Sequence, residues 1–187
     1  MFAFRLNAII GSLVVVFATV GWASFTSESL DEILAAIKKS GGTVARGMAL
    51  ERKISISIEA RTGRGFEAAA PSPASIEPGL KALPRLANQN EIELSLRFEG
   101  SGITDATLAY IESLANLHSL DLSETDVKDS GFVHLKRLKR LRRLEFSRNS
   151  ITGIGFRALQ GLTELRTLTL YENKFTDEGL AAVGVRF

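Results

Sequence analysis

Residues 138–159 read LKRLRRLEFSRNSITGIGFRAL, and this stretch decides the fold because its apolar pattern recurs at a fixed distance along the chain. Similar residues fill the same nine positions 24 residues earlier and 24 residues later. The three sets are Leu114, Leu117, Leu120, Leu122, Thr125, Val127, Gly131, Phe132 and Leu135; Leu138, Leu141, Leu144, Phe146, Asn149, Ile151, Gly155, Phe156 and Leu159; and Leu162, Leu165, Leu168, Leu170, Asn173, Phe175, Gly179, Leu180 and Val183. We call them the first, second and third full repeats. Such a period predicts a solenoid, in which each unit buries its apolar face against its neighbours.

A looser copy of the repeat precedes the first full one. It comprises Leu96, Phe98, Ser101, Ile103, Leu108 and Ile111. Within each unit, alternation such as Leu120-Asp121-Leu122 predicts a strand with leucines in the core and the polar residue facing solvent. The unit count is therefore about four, or five if a more degenerate copy lies upstream.

Two polar positions of the repeat have expected structural roles. Asn149 and Asn173 follow the strands, where a side-chain amide can bond backbone groups that leave the sheet. Asp105, Asp129 and Asp177 come where a helix on the convex side begins, so we expect them to cap the helix N-terminus. The predicted fold class is α/β, with a short curved parallel sheet and convex-side helices.

The whole motif, L-x-x-L-x-x-L-x-L-x-x-N/T-x-I-T-D-x-G-L-x-x-L, resembles a leucine-rich repeat. The sub-type with Ile103-Thr104-Asp105 and Phe175-Thr176-Asp177 resembles short repeats of exported proteins from planctomycete-like bacteria. Ile37 and Gly41-Gly42-x-Val44 are similar to a lead-in that often precedes such repeats. The resemblance implies a binding scaffold. The chain departs from the motif at Gly153, where Asp is missing, and at residues 183–187, which contain no further strand signal.

The N-terminus predicts export. Arg5 is followed by an apolar run from Ala8 to Val20, and Gly21-Trp22-Ala23 offers small residues for cleavage. Residues 1–23 therefore read as a secretory signal peptide, which places the protein in the periplasm, at the cell surface or outside the cell. The alternative is an uncleaved single-span anchor, in which case this segment is the chain's only membrane contact.

Residues 24–91 have weaker patterns. A helical stripe predicts a helix over Ser29–Lys39, so residues 24–52 form a helical lead-in or cap. Strict alternation over Lys53–Glu59 predicts a strand, Arg61–Ser75 reads as a loop, and Gly79-Leu80-x-x-Leu83 repeats the helix signature. Residues 53–91 are thus expected to be a degenerate first repeat with a loop insertion, and residues 92–187 the leucine-rich repeats.

Composition argues against catalysis and cofactors. The 187 residues include no cysteine, and the net charge is only +2, which favours no particular class of charged partner. The two histidines, His118 and His134, occupy non-equivalent repeat positions, and no hydrolase or zinc-protease motif is present. We expect no enzyme activity, no cofactor and no metal.

The solvent side of the sheet is the first candidate binding site. Its positions are Ser95, Arg97, Glu99, Ser119, Asp121, Ser123, Arg143, Glu145, Ser147, Thr167, Thr169 and Tyr171. Solenoids commonly bind partners on this concave face. The residues expected to contact a partner are Arg97, Asp121, Arg143, Glu145, Thr169 and Tyr171.

A basic run is the second candidate site. Lys136, Arg137, Lys139 and Arg140 could form an anion-binding patch. They also fill the solvated slots between framework leucines, so an ordinary charged surface explains them as well. Aromatic residues are not interleaved with them, which argues against single-stranded nucleic acid.

The sequence therefore predicts a non-catalytic module that binds an unidentified protein or surface polymer. One alternative is a structural segment that self-associates through its C-terminal edge, because Val183, Val185 and Phe187 are apolar. Another is an intracellular adaptor or effector, which would require that residues 1–23 are not an export signal.

Overall fold

The computed structural model describes residues 27–48, 54–61, 73–87, 92–100 and 102–182. The α-helices are α1 (Ser27–Lys39), α2 (Pro73–Ala82), α3 (Asp105–Leu108) and α4 (Asp177–Ala182). The strands are β1 (Thr43–Met48), β2 (Ile54–Arg61), β3 (Ile92–Glu99), β4 (Leu117–Asp121), β5 (Arg143–Glu145) and β6 (Thr167–Thr169). Short 3₁₀ helices span Leu83–Leu86, Asp129–His134 and Ile154–Leu159. The predicted export segment lies outside these residues, and no helix within them is long and apolar enough to cross a membrane.

All six strands form one sheet in chain order, β1-β2-β3-β4-β5-β6. Each pair from β2 to β6 is parallel, as the repeat pattern predicts, and a helix or helical turn connects successive strands. The exception is β1, which pairs antiparallel with β2 and was not predicted. As an edge strand, β1 needs little apolar surface, so its sequence carries no strong alternating signal.

The N-terminal region differs in two further details from the sequence prediction. Helix α1 begins at Ser27, two residues before the predicted start, and buries Leu30, Ile33, Leu34 and Ile37 as expected. Helix α2 begins at Pro73, inside the predicted loop. Proline is tolerated at the first position of a helix because its missing N–H has no intrahelical partner there.

The framework leucines and phenylalanines form one continuous core. At the strand positions of the first and second full repeats, Leu120, Leu122, Leu144 and Phe146 have no solvent exposure. A row of aromatic rings also runs along the solenoid, with centroid distances of 4.6 Å for Phe132–Phe146, 5.6 Å for Phe132–Phe156 and 6.0 Å for Phe156–Phe175. Burial weakens in the third full repeat, where the residues at framework positions are only partly buried; they are Leu165, Leu168, Leu170 and Phe175.

The asparagines of the repeat bond backbone groups, as predicted, and these groups belong largely to the preceding repeat. Asn149 Oδ1 accepts the Thr125 N–H at 2.8 Å, and Asn149 Nδ2 donates to the Leu122 carbonyl at 2.8 Å. Asn173 likewise accepts the Ile151 N–H at 3.1 Å and donates to the carbonyls of Phe146 and Leu170. Each amide therefore joins two rungs where the chain leaves the sheet.

Asp105 and Asp129 accept backbone N–H groups near a helix start, as expected, but these groups belong to the next repeat, so their assignment to their own helices was wrong. Each is the first residue of its helix, and its carboxylate reaches forward to the next repeat. Asp105 accepts the Lys128 N–H at 2.8 Å and the Ser130 hydroxyl. Asp129 accepts the N–H groups of Thr152, Gly153 and Gly155 at 2.8–2.9 Å and the Thr152 hydroxyl at 3.1 Å. We call these contacts the Asp105 bridge and the Asp129 bridge.

The electrostatics of the Asp129 bridge favour the ionised carboxylate. Burial by itself raises the pKa of Asp129, but the hydrogen bonds from Thr152, Gly155 and Gly153 outweigh burial and hold the pKa below its ordinary value. The bridge also explains a recurring glycine. A Cβ at Gly155 would lie 2.5 Å from the Asp129 carbonyl oxygen, so only glycine allows this close approach.

Candidate binding surface

The polar strand residues form two straight rows across the sheet. Strand register aligns Ser95, Ser119, Arg143 and Thr167 in one row, and Arg97, Asp121, Glu145 and Thr169 in the next. The leucines between the rows point the other way into the core; Leu96, Leu120 and Leu144 are at most 2% exposed. We call the two rows, together with Tyr171, the strand face. The two rows bring together five of the six residues singled out from the sequence, and Tyr171 follows two residues after the end of β6.

Part of the strand face is already occupied by internal ion pairs. The Arg97 guanidinium lies 3.4 Å from Asp121 and 3.9 Å from Glu99. Asp121 also accepts the Ser123 N–H at 2.9 Å. Because Arg97 is about half exposed and its partners are not fully buried, these pairs orient side chains more than they stabilise the fold.

The other end of the strand face is open. Arg143 and Tyr171 are exposed, whereas Glu145 and Thr169 are half-buried. Within the described residues, no acid lies within ion-pair distance of Arg143. Tyr171 is 55% exposed. An exposed tyrosine and an arginine without an acidic partner among the described residues are both side chains that protein interfaces favour.

Tyr171 is contacted by Arg148, whose place beside the ring was not predicted. The Arg148 guanidinium lies over the Tyr171 ring, 5.8 Å from its centroid. Arg148 also donates to Glu124 at 2.7 Å and to Glu172 at 3.0 Å. The hydrogen bond with Glu124, followed by that with Glu172, raises the pKa of Arg148. The two ion pairs and the ring contact place the guanidinium beside Tyr171.

The three charged residues recur at the repeat spacing of 24 and share one backbone conformation. Glu124, Arg148 and Glu172 have φ angles of 59°, 57° and 55°, and Gly100 occupies the preceding equivalent position with a φ of 108°. Left-handed turns at equivalent positions project successive side chains in the same direction. Glu124, Arg148 and Glu172 therefore form a ladder of alternating charge. The sequence could have revealed it, because an acid, a base and an acid occupy the same position of three successive repeats.

Ser147 was expected to face solvent, and this was wrong. It is only 4% exposed, and its N–H donates to Ser123 Oγ at 3.2 Å. The reason is that β5 ends at Glu145, so strand alternation no longer sets the side-chain direction two residues later.

The basic run lies on the turn that leads from the 3₁₀ helix Asp129–His134 into β5. Lys136, Arg137 and Lys139 are exposed, and Arg140 is partly so. The Lys139 ammonium donates to the Gly161 carbonyl at 2.9 Å. We call Lys136, Arg137, Lys139 and Arg140 the basic turn.

Both histidines make hydrogen-bond contacts within the solenoid. His118 Nδ1 is 2.8 Å from the Asn116 carbonyl, and His134 Nδ1 is 2.9 Å from Glu112. The His134 contact lowers the pKa of Glu112. No group of three or more potential metal ligands occurs among the residues whose positions are described.

A family model supports the interpretation of the repeats as leucine-rich repeats. Residues 115–175 match the leucine-rich repeat family model. The chain is similar to a crystal structure of the leucine-rich-repeat ectodomain of the receptor kinase SOBIR1 from Arabidopsis thaliana, at 14% identity and a TM-score of 0.38, covering 82% of this chain and 97% of that one. No curated protein sequence matches the chain. The repeat spacing, the parallel rungs and the family match over residues 115–175 together establish the fold as a leucine-rich-repeat solenoid.

Proposed function

We propose that this protein is an exported, non-catalytic module that binds a protein partner on its strand face. Leucine-rich-repeat domains generally bind proteins. The observation that carries the proposal is the open end of the strand face. Arg143 is exposed beside the fully buried Leu144, and Tyr171 is exposed on the third full repeat, where Leu168 and Leu170 are partly buried. The packed base beneath Arg143 lowers the entropic cost of association, because fewer groups must be ordered there on binding.

Within this surface, Tyr171 is the proposed anchor. Its ring presents a large area at the cost of only two side-chain torsions, and Arg148 already restricts its position. Arg143 and Glu145 supply charges of both signs two residues apart, which would fix the orientation of the partner. Arg97 and Asp121 contribute less, because a partner must compete with their existing pair.

The proposed division of the chain follows from the same repeats. Strand β2 and helix α2 support residues 53–91 as a degenerate first repeat, and α1 with β1 supports residues 24–52 as a cap on that end. Export rests on the apolar run after Arg5, with a single-span anchor as the alternative. The intact mass of the tagged chain, measured in each cell fraction, distinguishes a cleaved signal peptide from an uncleaved anchor. Loss of residues 1–23 supports a cleaved signal.

Partner binding is tested by capture with matched variants. Tagged wild-type protein, Tyr171→Ala and Arg143→Glu would be used as bait in extracts of the native host, beside the control Arg157→Glu on the convex side. We expect a partner retained by wild type and control and lost with either strand-face variant. If all four proteins capture the same set, the strand face is not the binding site.

A second candidate function has its own observation. Leu165, Leu168, Leu170 and Phe175 at the outer side of the third full repeat are only partly buried, although the equivalent Leu141, Leu144, Phe146 and Ile151 are fully buried. A second copy stacked on this edge would complete their burial. Sedimentation velocity over a wide concentration range tests it. A monomer at every concentration excludes self-association.

A further inference from the structure

The basic turn is confined to a single rung of the solenoid. The equivalent residues on the two neighbouring rungs lie 24 residues before and 24 residues after each residue of the basic turn. Lys136 corresponds to Glu112 and Gln160, Arg137 to Ser113 and Gly161, Lys139 to Ala115 and Thr163, and Arg140 to Asn116 and Glu164. The positive charge of the basic turn is therefore found on one rung and does not recur with the repeat. The net charge of the whole chain is only +2.

The cations of this rung differ in how far they are already neutralised. Arg142, just beyond the turn, is paired with Glu164 at 3.1 Å and Glu93 at 3.7 Å. Among the described residues, no acid lies within ion-pair distance of Lys136, Arg137 or Arg140. The charges of Lys136 and Arg137 nevertheless help to lower the pKa of Glu112. The Lys139 ammonium donates to the neutral Gly161 carbonyl. Four positive side chains are thus available to an anion.

The patch continues onto the strand face. Arg143 is the first residue of β5, three residues after Arg140, and it stands in the row between Ser119 and Thr167. A ligand at the basic turn can therefore reach the surface proposed to bind the partner. Hydroxyl groups on both sides of Arg143 add neutral donors for an oxyanion.

From these placements we propose that the basic turn and Arg143 bind an acidic polypeptide segment of the partner protein. The inference rests on the proposed function, because it names the chemistry of the same partner. The flanking acids select a short segment. A long polyanion running along the solenoid would meet Glu112 on one rung and Glu164 on the next, and would have to compete with these carboxylates for His134 and Arg142. Strands lie about 4.8 Å apart, so a single rung suits a few carboxylates.

The test uses a fluorescein-labelled oligoglutamate peptide and the full-length chain at low salt, read by fluorescence anisotropy. We expect Arg140→Glu combined with Arg143→Glu to weaken binding roughly tenfold or more. Lys128→Glu combined with Lys174→Glu is the matched control. It changes the net charge equally on the loops that leave the strands, and we expect a change within about twofold.

Equal weakening by the two double variants would overturn the proposal, because binding would then depend on overall charge alone. Tighter binding of heparin or duplex DNA than of oligoglutamate, lost with Arg140→Glu and Arg143→Glu, would also overturn it. If that double variant does not fold by circular dichroism, Lys136→Glu with Arg137→Glu carries the same expectation. Tyr171→Ala separates the two proposals: it should abolish partner capture and leave oligoglutamate binding unchanged.

Discussion

The joint between the first and second full repeats and the joint between the second and third use the same leucine spacing but different polar contacts. At the first joint, Asp129 accepts four hydrogen bonds from Thr152, Gly153 and Gly155. At the second joint Gly153 stands where the aspartate would be. The apolar period therefore builds the same rung twice, while a single residue decides how firmly neighbouring rungs are joined.

Backbone contacts replace the missing carboxylate at the second joint. The Thr176 N–H donates to the Thr152 carbonyl at 3.1 Å, and the Gly179 N–H donates to Thr176 Oγ1 at 3.1 Å within its own repeat. Gly153 has a φ of 97° and lies directly against Gly179. The third full repeat therefore lacks the carboxylate bridge to its neighbour, and its framework residues are only partly buried. We expect this repeat to unfold locally before the other repeats.

The largest expected effect compares two rings of the aromatic row. Phe132 is fully buried between Phe146 and Phe156, whereas Phe175 ends the row and is only partly buried. Phe132→Ala should lower the free energy of unfolding by about 3–5 kcal/mol, and Phe175→Ala by about 1–2 kcal/mol. Urea denaturation of both variants gives the difference. Equal losses would mean that the two joints are equally well packed.

The next effect concerns the Asp129 bridge directly. Asp129→Asn removes the charge and places an amide donor among N–H donors, so we expect a loss of about 1.5–3 kcal/mol. The control is Asp177→Asn, at the equivalent position two repeats later, where the side chain is exposed; its effect should stay within about 0.5 kcal/mol. A comparable loss in the control would show that the helix start, and not the bridge, needs the carboxylate.

A smaller effect is expected for the glycine contact at the second joint. A Cβ at Gly179 would fall 1.9 Å from the Thr152 carbonyl oxygen, so Gly179→Ala must displace the third full repeat. Because that repeat has fewer contacts and can shift, we expect a loss of only about 1–2 kcal/mol. Hydrogen exchange should show faster exchange in residues 162–182 and little change in residues 114–137. Uniformly faster exchange would contradict independent opening of this repeat.

The smallest effect is the pH dependence of the Asp129 bridge. The pKa of the Asp129 carboxyl in the folded state lies below the unfolded value of about 3.9. Between these two pKa values the folded state binds fewer protons than the unfolded state. The stabilisation is complete above the unfolded pKa and is lost as pH falls through the folded pKa. Denaturation of wild type and Asp129→Asn across acidic pH should therefore show a shallower slope for the variant. Parallel curves would remove the electrostatic part of this explanation.

The fold could be predicted from the sequence because burial is set by period, and the period is visible in one chain. The same spacing places Leu144 in the core and Arg143 outside it. The partners of polar groups depend on distances between rungs, which spacing does not contain. That is why Asp129 was assigned to its own helix and why the Glu124, Arg148 and Glu172 ladder was missed. Ser147 was misplaced because the strand ends before it.

The comparison of joints also bears on binding. Arg97, Asp121 and Glu145 stand on the bridged rungs, whereas Thr169 and Tyr171 stand on the third full repeat. A partner that contacts both groups would tie the loosely joined repeat to the rest of the solenoid. Binding should therefore stabilise the third full repeat, because a ligand adds its free energy to the state that it selects.

Site-specific photocrosslinking in the native host directly tests whether the partner binds the strand face. A photoreactive phenylalanine analogue would replace Thr169 on the strand face or Ile154, which is 48% exposed on the convex side. Binding through the strand face predicts a discrete crosslinked protein from position 169 that is absent from position 154. Crosslinks from position 154 alone, or the same products from both positions, would contradict binding through the strand face.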